Sequence, residues 1–222
     1  MKKILVLAPH MDDETLGCGG VIVKHVKSGD EVKTCFVAHR IYDHKFDETK
    51  NQKEEACALA AQKILGYQKI SFLRLNDERL DACVQEVLVP LEKEIIDYKP
   101  DVVYGPFWQD NNQDHRAVFE AMRVALRPAG ASFVKEWLVY EVPSSTEQSP
   151  AVPGRVFQPN YYVDITSGVE TKLAAMGCYQ TEKRVYPHPR SEEAIKILAQ
   201  YRGIQIGFNY AEGFIRLRSK WS

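Results

Sequence analysis

No Cys-x-x-Cys pair occurs in this chain, and its five cysteines, Cys18, Cys35, Cys57, Cys83 and Cys178, are odd in number and widely spaced. That pattern argues against a cysteine zinc cluster and against a disulfide framework. The thiols read as small apolar residues in a reducing compartment, and the cytoplasm is the expected location. No apolar run exceeds the length of a strand, so no transmembrane segment is expected. The first apolar stretch, about five residues, is too short for a secretory signal. Neither sign of charge is in excess: 29 basic against 30 acidic residues leave a formal charge of −1. Nothing in that balance points to a nucleic-acid partner. Internal repeats and low-complexity tracts are also lacking.

What is present is an ordinary globular composition, 45% hydrophobic and 27% charged over 222 residues, enough for one large domain. Lys3–Leu7 reads as a buried strand. Glu14–Ser28 follows as a helix with Val21, Ile22 and Val26 on one face and Gly29 as its stop. Val32–Ala38 is a strand. Asp47–Leu65 is a helix closed by Gly66, with Ala56, Leu59, Ala60 and Ile64 at helical spacing. Ile70–Leu73 is a short strand. Asp81–Tyr98 is a helix in which Pro90 is expected to make a kink. Val102–Tyr104 is a strand and Asp114–Leu126 a helix. This alternation predicts an α/β fold, a mostly parallel sheet with helices on both faces.

Later residues are less regular. Trp137–Val142, Tyr161–Ile165 and Phe214–Leu217 read as strands. Val169–Tyr179 and Ser191–Tyr201 read as helices, the second ended by Gly203. Pro143–Pro159 reads as a surface loop. A single domain over 1–222 is expected, a core to about residue 130 and a C-terminal cap over 131–222. Right-handed crossovers favour the strand order 3-2-1-4, with a crevice at the carboxyl ends of strands 1 and 4.

Polar clusters fall at both of those ends. The first is His10, Asp12, Asp13 and Glu14; the second is Gln109 through Arg116. Three carboxylates within three positions repel one another unless a cation sits among them, and the histidine suggests a transition metal. His10 and Asp13, three apart at a strand-to-helix turn, can converge, and His115 can approach across the crevice. Two imidazoles and one carboxylate form a frequent ligand set for catalytic zinc. Asp12 is then free to take a proton from water, and Asp114 can orient a histidine. The blander reading of any one Asp at a helix start is an N-cap. The glycines of Leu16-Gly17-Cys18-Gly19-Gly20 follow the acidic group, where carboxylates would repel a pyrophosphate. They read as close helix–sheet packing rather than a dinucleotide site.

At these residues the chain resembles the LmbE-like (PIG-L) zinc-dependent N-deacetylases. Pro9-His10-Met11-Asp12-Asp13-Glu14 matches the family's first motif, Pro-His-x-Asp-Asp-Glu, in full. Asn112-Gln113-Asp114-His115 matches the second, His-x-Asp-His, with asparagine in place of the first histidine. The likeness continues through Ser144-Ser145-Thr146-Glu147, Tyr186-Pro187-His188-Pro189-Arg190-Ser191, Tyr201-Arg202-Gly203 and Tyr210-Ala211-Glu212. The resemblance implies a Rossmann-like three-layer α/β/α fold and hydrolysis of an acetamide, usually on an N-acetylglucosamine unit. It implies one Zn2+ per chain on His10, Asp13 and His115, other divalent transition metals being alternatives, and Asp12 as general base.

Asn112 can donate a hydrogen bond to an oxyanion but cannot be a general acid. The expected acid is therefore His188, stiffened between two prolines, or Asp12 after it gains the proton. Lys53 sits where a family arginine often stands, and with Arg190 it is a candidate for an anionic part of the substrate. Arg202 carries the same two readings, anion binding or a solvated face. Trp108, Tyr42 and Tyr186 are candidates to stack on a sugar, with a core or rim role as the alternative. Glu212 reads as a buried partner of an arginine. The expected partner is a small-molecule or glycoconjugate substrate, and an exposed cap edge leaves room for a homo-oligomer. An O-acetyl esterase, a thiol-conjugate amidase or a non-catalytic metal-containing module are the alternative functions.

Overall fold

The apolar hexapeptide Lys3–Ala8 forms β1, and every residue after Lys3 is buried. Such an unbroken run suits a strand covered on both faces. The computed structural model describes residues 1–42 and 44–221, with only the backbone of Tyr42. The expectation for the Tyr42 side chain thus lies outside the described residues.

After β1 come α1 (Asp13–Lys27), β2 (Glu31–His39), a small hairpin of β3 (Ile41–Tyr42) and β4 (Lys45–Phe46), α2 (Glu48–Leu65), β5 (Lys69–Asn76), α3 (Val84–Tyr98), β6 (Val102–Pro106) and α4 (Gln113–Ala125). Then follow β7 (Glu136–Tyr140), a 3-10 turn over Thr146–Gln148, β8 (Tyr161–Asp164), α5 (Val169–Met176), α6 (Glu192–Ile204) and β9 (Ala211–Ser219). The main sheet has seven strands in the order β5-β2-β1-β6-β7-β9-β8. Its first four positions are the anticipated 3-2-1-4. All pairs from β5 to β7 are parallel, whereas β9 runs antiparallel to both its neighbours.

Alternation along β1 divides the core in two. Ile4, Val6 and Ala8 join Ile22 of α1, Leu65 of α2, Leu173 of α5 and Ile195 of α6. Leu5 and Leu7 face the other way, to Leu91 and Ile95 of α3 and Val118 and Met122 of α4. Among the described residues, no helix is long and apolar enough to cross a membrane.

Several expectations change in detail. The C-terminal residues do more than cap: β7, β8 and β9 complete the sheet itself. The helix expected from Asp81 begins at Val84, and the one expected to reach Tyr179 stops at Met176. Gly203 does not end a helix but lies inside α6, where a Cβ would come 2.5 Å from the Phe208 carbonyl oxygen. Close approach, not termination, requires glycine there. Gly17 has the packing role foreseen for it: a Cβ would stand 2.2 Å from the ring of buried Tyr140.

Candidate metal centre

The topological switch lies between β1 and β6, where successive crossovers leave in opposite directions, and open parallel sheets bind ligands at the carboxyl ends of such strands. The chain leaving β1 turns sharply there. Asp12 holds a φ of 130°, a conformation uncommon for any residue but glycine. Its carbonyl accepts from Thr15 and Leu16, yet its side chain makes no capping bond to α1. Asp13 is the first residue of α1, where the helix dipole favours a carboxylate.

Three ligand atoms converge at this turn. Asp13 Oδ2 lies 3.3 Å from His10 Nδ1 and 3.2 Å from His115 Nε2, and the two nitrogens are 3.3 Å apart. All three side chains are buried. Atoms bound tetrahedrally to one zinc at about 2.1 Å stand about 3.4 Å from one another, so the triangle has the size a zinc ion requires.

The outer nitrogens decide the tautomers. His10 Nε2 faces Asp77 Oδ1 at 3.0 Å and Asp114 Oδ2 at 3.4 Å, and His115 Nδ1 faces Asp110 Oδ1 at 3.3 Å. An imidazole N–H donates outward to a carboxylate, which leaves the inward nitrogen with a lone pair. With both imidazoles neutral, two ring nitrogens and Asp13 Oδ2, which also accepts from the His10 backbone N–H at 2.8 Å, face one another as acceptors, an arrangement a cation would satisfy. The electrostatics agree. Burial opposes charge on the imidazoles, but Asp114, Asp13 and Asp77 raise His10 well above the usual range. At His115, Asp13 and Asp110 overcome burial and raise it to about 9. Burial likewise opposes ionisation of Asp13, but His115 and His10 hold it well below the usual carboxylate range. A site that draws positive charge this strongly suits a divalent ion.

Asp12 stands beside the triangle, fully buried. Its Oδ2 lies 3.1 Å from Arg190 Nη1 and 3.3 Å from Arg40 Nη2. Its Oδ1 has no hydrogen-bond partner among the described residues. Burial lifts this carboxylate to about 6 against the pull of Arg190 and Arg40. Its neighbour Glu14, pushed up to about 7 by burial, accepts from Tyr179 and Thr15 and lies apart from the triangle's contacts.

The other candidates are placed as follows. Asp114 accepts from the backbone of Glu78 and Leu80, clamping the turn after β5 against His10 rather than against neighbouring His115. Asn112 is the N-cap of α4, its Oδ1 accepting from the Asp114 N–H at 2.8 Å. Arg190 bonds Asp12, Glu182 and Ser144. His188 is half-buried, and its Nδ1 accepts from the Arg190 N–H at 3.1 Å. Lys53 stands exposed on α2 beside a cavity of about 310 Å3 lined by Lys50, Glu54, Cys57 and Thr181. Trp108 packs between Phe107 and Phe119 at 4.5 and 5.6 Å, and Tyr186 is exposed. Arg202 is taken up by a bidentate pair with Glu141 at 2.6 and 2.7 Å. Glu212 partners Lys172 and the N–H groups of Gly20 and Val21, not an arginine.

Four participants escaped sequence reasoning: Asp77, Asp110, Arg40 and Glu182. Asp77 and Arg40 directly follow β5 and β2, so the rule that directs attention to strand ends could have found them. Asp110 lay inside a cluster already noted. Its carboxylate is fed by Ser145, by Thr146 at 2.5 Å and by the Asn112 N–H at 2.8 Å. The stretch expected to be a surface loop therefore buries Ser145 and Thr146, because a buried carboxylate needs donors. Glu182 carried no local signal.

Residues 5–126 match the family model described as PIG-L: GlcNAc-PI de-N-acetylase. A diacetylchitobiose deacetylase from Thermococcus kodakarensis is 27% identical over 231 residues, covering 96% of this chain and 82% of that one. Among solved structures, the conserved protein TT1542 from Thermus thermophilus superposes with a TM-score of 0.80 at 25% identity, covering 100% of this chain and 97% of that one. The N,N'-diacetylchitobiose deacetylase from Pyrococcus horikoshii, complexed with its inhibitor MPG, gives 0.75 at 24% identity over 98% and 84% of the two chains and shares the fold. With more than half of its length matched by the family model, and with the β1–β6 crevice built as described, the chain belongs to the PIG-L family of metal-dependent N-deacetylases.

Proposed function

We propose that this protein removes the acetyl group from an N-acetylated amino sugar of the N-acetylglucosamine type, with one zinc ion held by His10, Asp13 and His115. The observation that carries the reading is the meeting of three buried ligand atoms, from His10, Asp13 and His115, beside a buried aspartate with one unsatisfied oxygen. The family's description and the name of the Thermococcus relative both point to acetamido sugars. Zinc bound there supplies Lewis acidity toward the acetyl carbonyl and acidifies water.

The protein's own groups do the rest. Asp12 Oδ1 accepts the proton of the attacking water, since Oδ2 is occupied by two guanidiniums. The Asn112 amide, its oxygen engaged in capping α4, keeps its N–H groups to donate to the oxyanion. The carbon–nitrogen bond then breaks, and the departing amine takes a proton from Asp12 or from His188. Acetate and a free amino sugar result.

The test is acetate release by zinc-loaded protein over a panel of N-acetylated sugars, with Asp12→Asn as the companion. An N-acetylglucosamine-type sugar should turn over, and the variant should be slower by ~10²-fold or more. His188→Ala separates the two acids: a similar fall assigns the proton to His188, and an unchanged kcat assigns it to Asp12. Zinc-loaded protein that frees acetate only from O-acetyl esters, or from nothing in the panel, refutes the proposal.

A further inference from the structure

Asp12 is a base whose direction its own helix does not set. It sits in a strained backbone conformation and its carboxylate makes no capping bond. What holds it is a closed ring of ionised side chains. Arg40 follows β2 and Arg190 precedes α6, and both guanidiniums reach the same Asp12 Oδ2. Two like charges against one oxygen repel each other. Glu182 lies between them, its Oε1 2.6 Å from Arg40 Nη1 and its Oε2 bonded to Arg190 Nη1. Glu182 is itself buried, at 6% exposure, so water does not screen these contacts. Ser144 Oγ takes the Arg190 Nε–H at 2.6 Å, and Asn51 fixes the Arg40 backbone carbonyl at 3.0 Å.

From this geometry we infer that Glu182 is a positioning residue for the general base: acting through both arginines, it pins Asp12 Oδ2 and leaves Oδ1 as the proton acceptor. The catalytic part of this inference rests on the deacetylase reading above. Glu182 has no contact with any of the three metal-site residues among the described contacts. Its loss therefore acts on the chemical step and not on ion binding. Without its charge, the two cations lose the carboxylate that bridges them, Arg40 is left between Asp12 and Glu54, whose Oε2 is 3.4 Å from its Nε, Arg190 withdraws, and Asp12 turns. Misplacing a reacting group by about 1 Å costs on the order of 10²-fold in rate.

The experiment compares wild type, Glu182→Asp and Glu182→Gln, all zinc-loaded. It reads zinc content, kcat and KM for acetate release, and the crystal structure of Glu182→Gln. Zinc content should be unchanged and KM should stay within about twofold, while kcat falls ~10–100-fold in the Gln variant and less in the Asp variant, which keeps the charge. In the crystal, Asp12 should have lost at least one arginine. A merely structural role would lower stability without ordering kcat by the charge at position 182. Wild-type kcat in Glu182→Gln, or an Asp12 still held by both arginines there, overturns the inference. If Gln does not fold, the crystal structure of Glu182→Asp decides: its carboxylate is one methylene too short to bridge both guanidiniums, so an Asp12 still held by both arginines there overturns the inference. Absence of acetate release by the wild type would sink the deacetylase reading instead, and the variant's crystal structure would then decide the positioning by itself.

Discussion

Asp110→Asn tests whether a carboxylate sets the lone pair that His115 offers to the ion. Asp110 Oδ1 accepts from the Asn112 N–H at 2.8 Å and from the Ser145 hydroxyl and lies 3.3 Å from His115 Nδ1, whereas among the described residues Oδ2 accepts from Thr146 at 2.5 Å. An asparagine therefore keeps most bonds by placing its amide oxygen where Oδ1 was. Its NH2 then meets Thr146, whose hydroxyl must turn to accept. His115 keeps an acceptor at Nδ1, but a neutral one. Removing such outer partners of a metal-binding histidine typically costs 10–100-fold in affinity, and with the acceptor retained the loss should be near tenfold, about 1.4 kcal/mol. Asp110→Ala leaves Nδ1 free to lose its proton to Nε2, so it should approach 100-fold. The assay is zinc competition against a chromophoric chelator at neutral pH. Thr146→Ala serves as a control for packing, because it removes a bond to Asp110 without touching His115. Equal affinities for wild type and Asp110→Asn, or a loss matched by Thr146→Ala, would refute the reasoning.

Other consequences are equally open to measurement. Gly17→Ala forces a Cβ into the ring of Tyr140, whose hydroxyl is anchored on the Leu7 carbonyl at 2.8 Å. Overpacking of about 2–3 kcal/mol should lower Tm by roughly 5–10 °C in thermal unfolding, and an unchanged Tm would mean that α1 is less tightly seated than described. Lys172→Met strands the Glu212 carboxylate beneath α1, where Lys172 also donates to the Leu16 carbonyl at 2.7 Å. Breaking a buried pair should cost about 3–5 kcal/mol. Adding Glu212→Gln should restore part of it, and a double variant no more stable than the single would contradict this. Stripping the ion with a chelator should lower Tm, and zinc at about 100 times its Kd should restore about 2.7 kcal/mol. A Tm indifferent to both treatments would count against a bound ion.

The first four core strands were legible because each is a short apolar run between amphipathic helices, and right-handed crossovers then leave few orders. The C-terminal strands were harder. In β9, Phe214 is buried while Arg216 and Leu217 are exposed, a pattern that locates a strand but not its neighbours. Its place between β7 and β8 is decided by tertiary packing. At the candidate metal centre, His10, Asp13 and His115 could be read because they lie at the ends of strands flanking the switch. Of the partners of their outer nitrogens, Asp114 was foreseen as orienting a histidine and Asp110 lay in a noted cluster, whereas which histidine each would serve could not be read, since Asp77 and Asp114 meet at His10 through the path of the turn after β5. The contact between Arg40 and Glu182 joins positions 142 apart, and no local pattern encodes it.

The parallel ladder between β1 and β6, with Ile4 opposite Val102 and Val6 opposite Tyr104, sets the turn that holds His10 beside the segment leading into α4 and His115. A zinc ion held there would take its ligands from elements that the sheet fixes, unlike in small zinc modules that collapse around their metal. Swapping one divalent ion for another should leave the backbone undisturbed, so cobalt(II) can enter as a coloured reporter whose spectrum reads the ligand geometry directly.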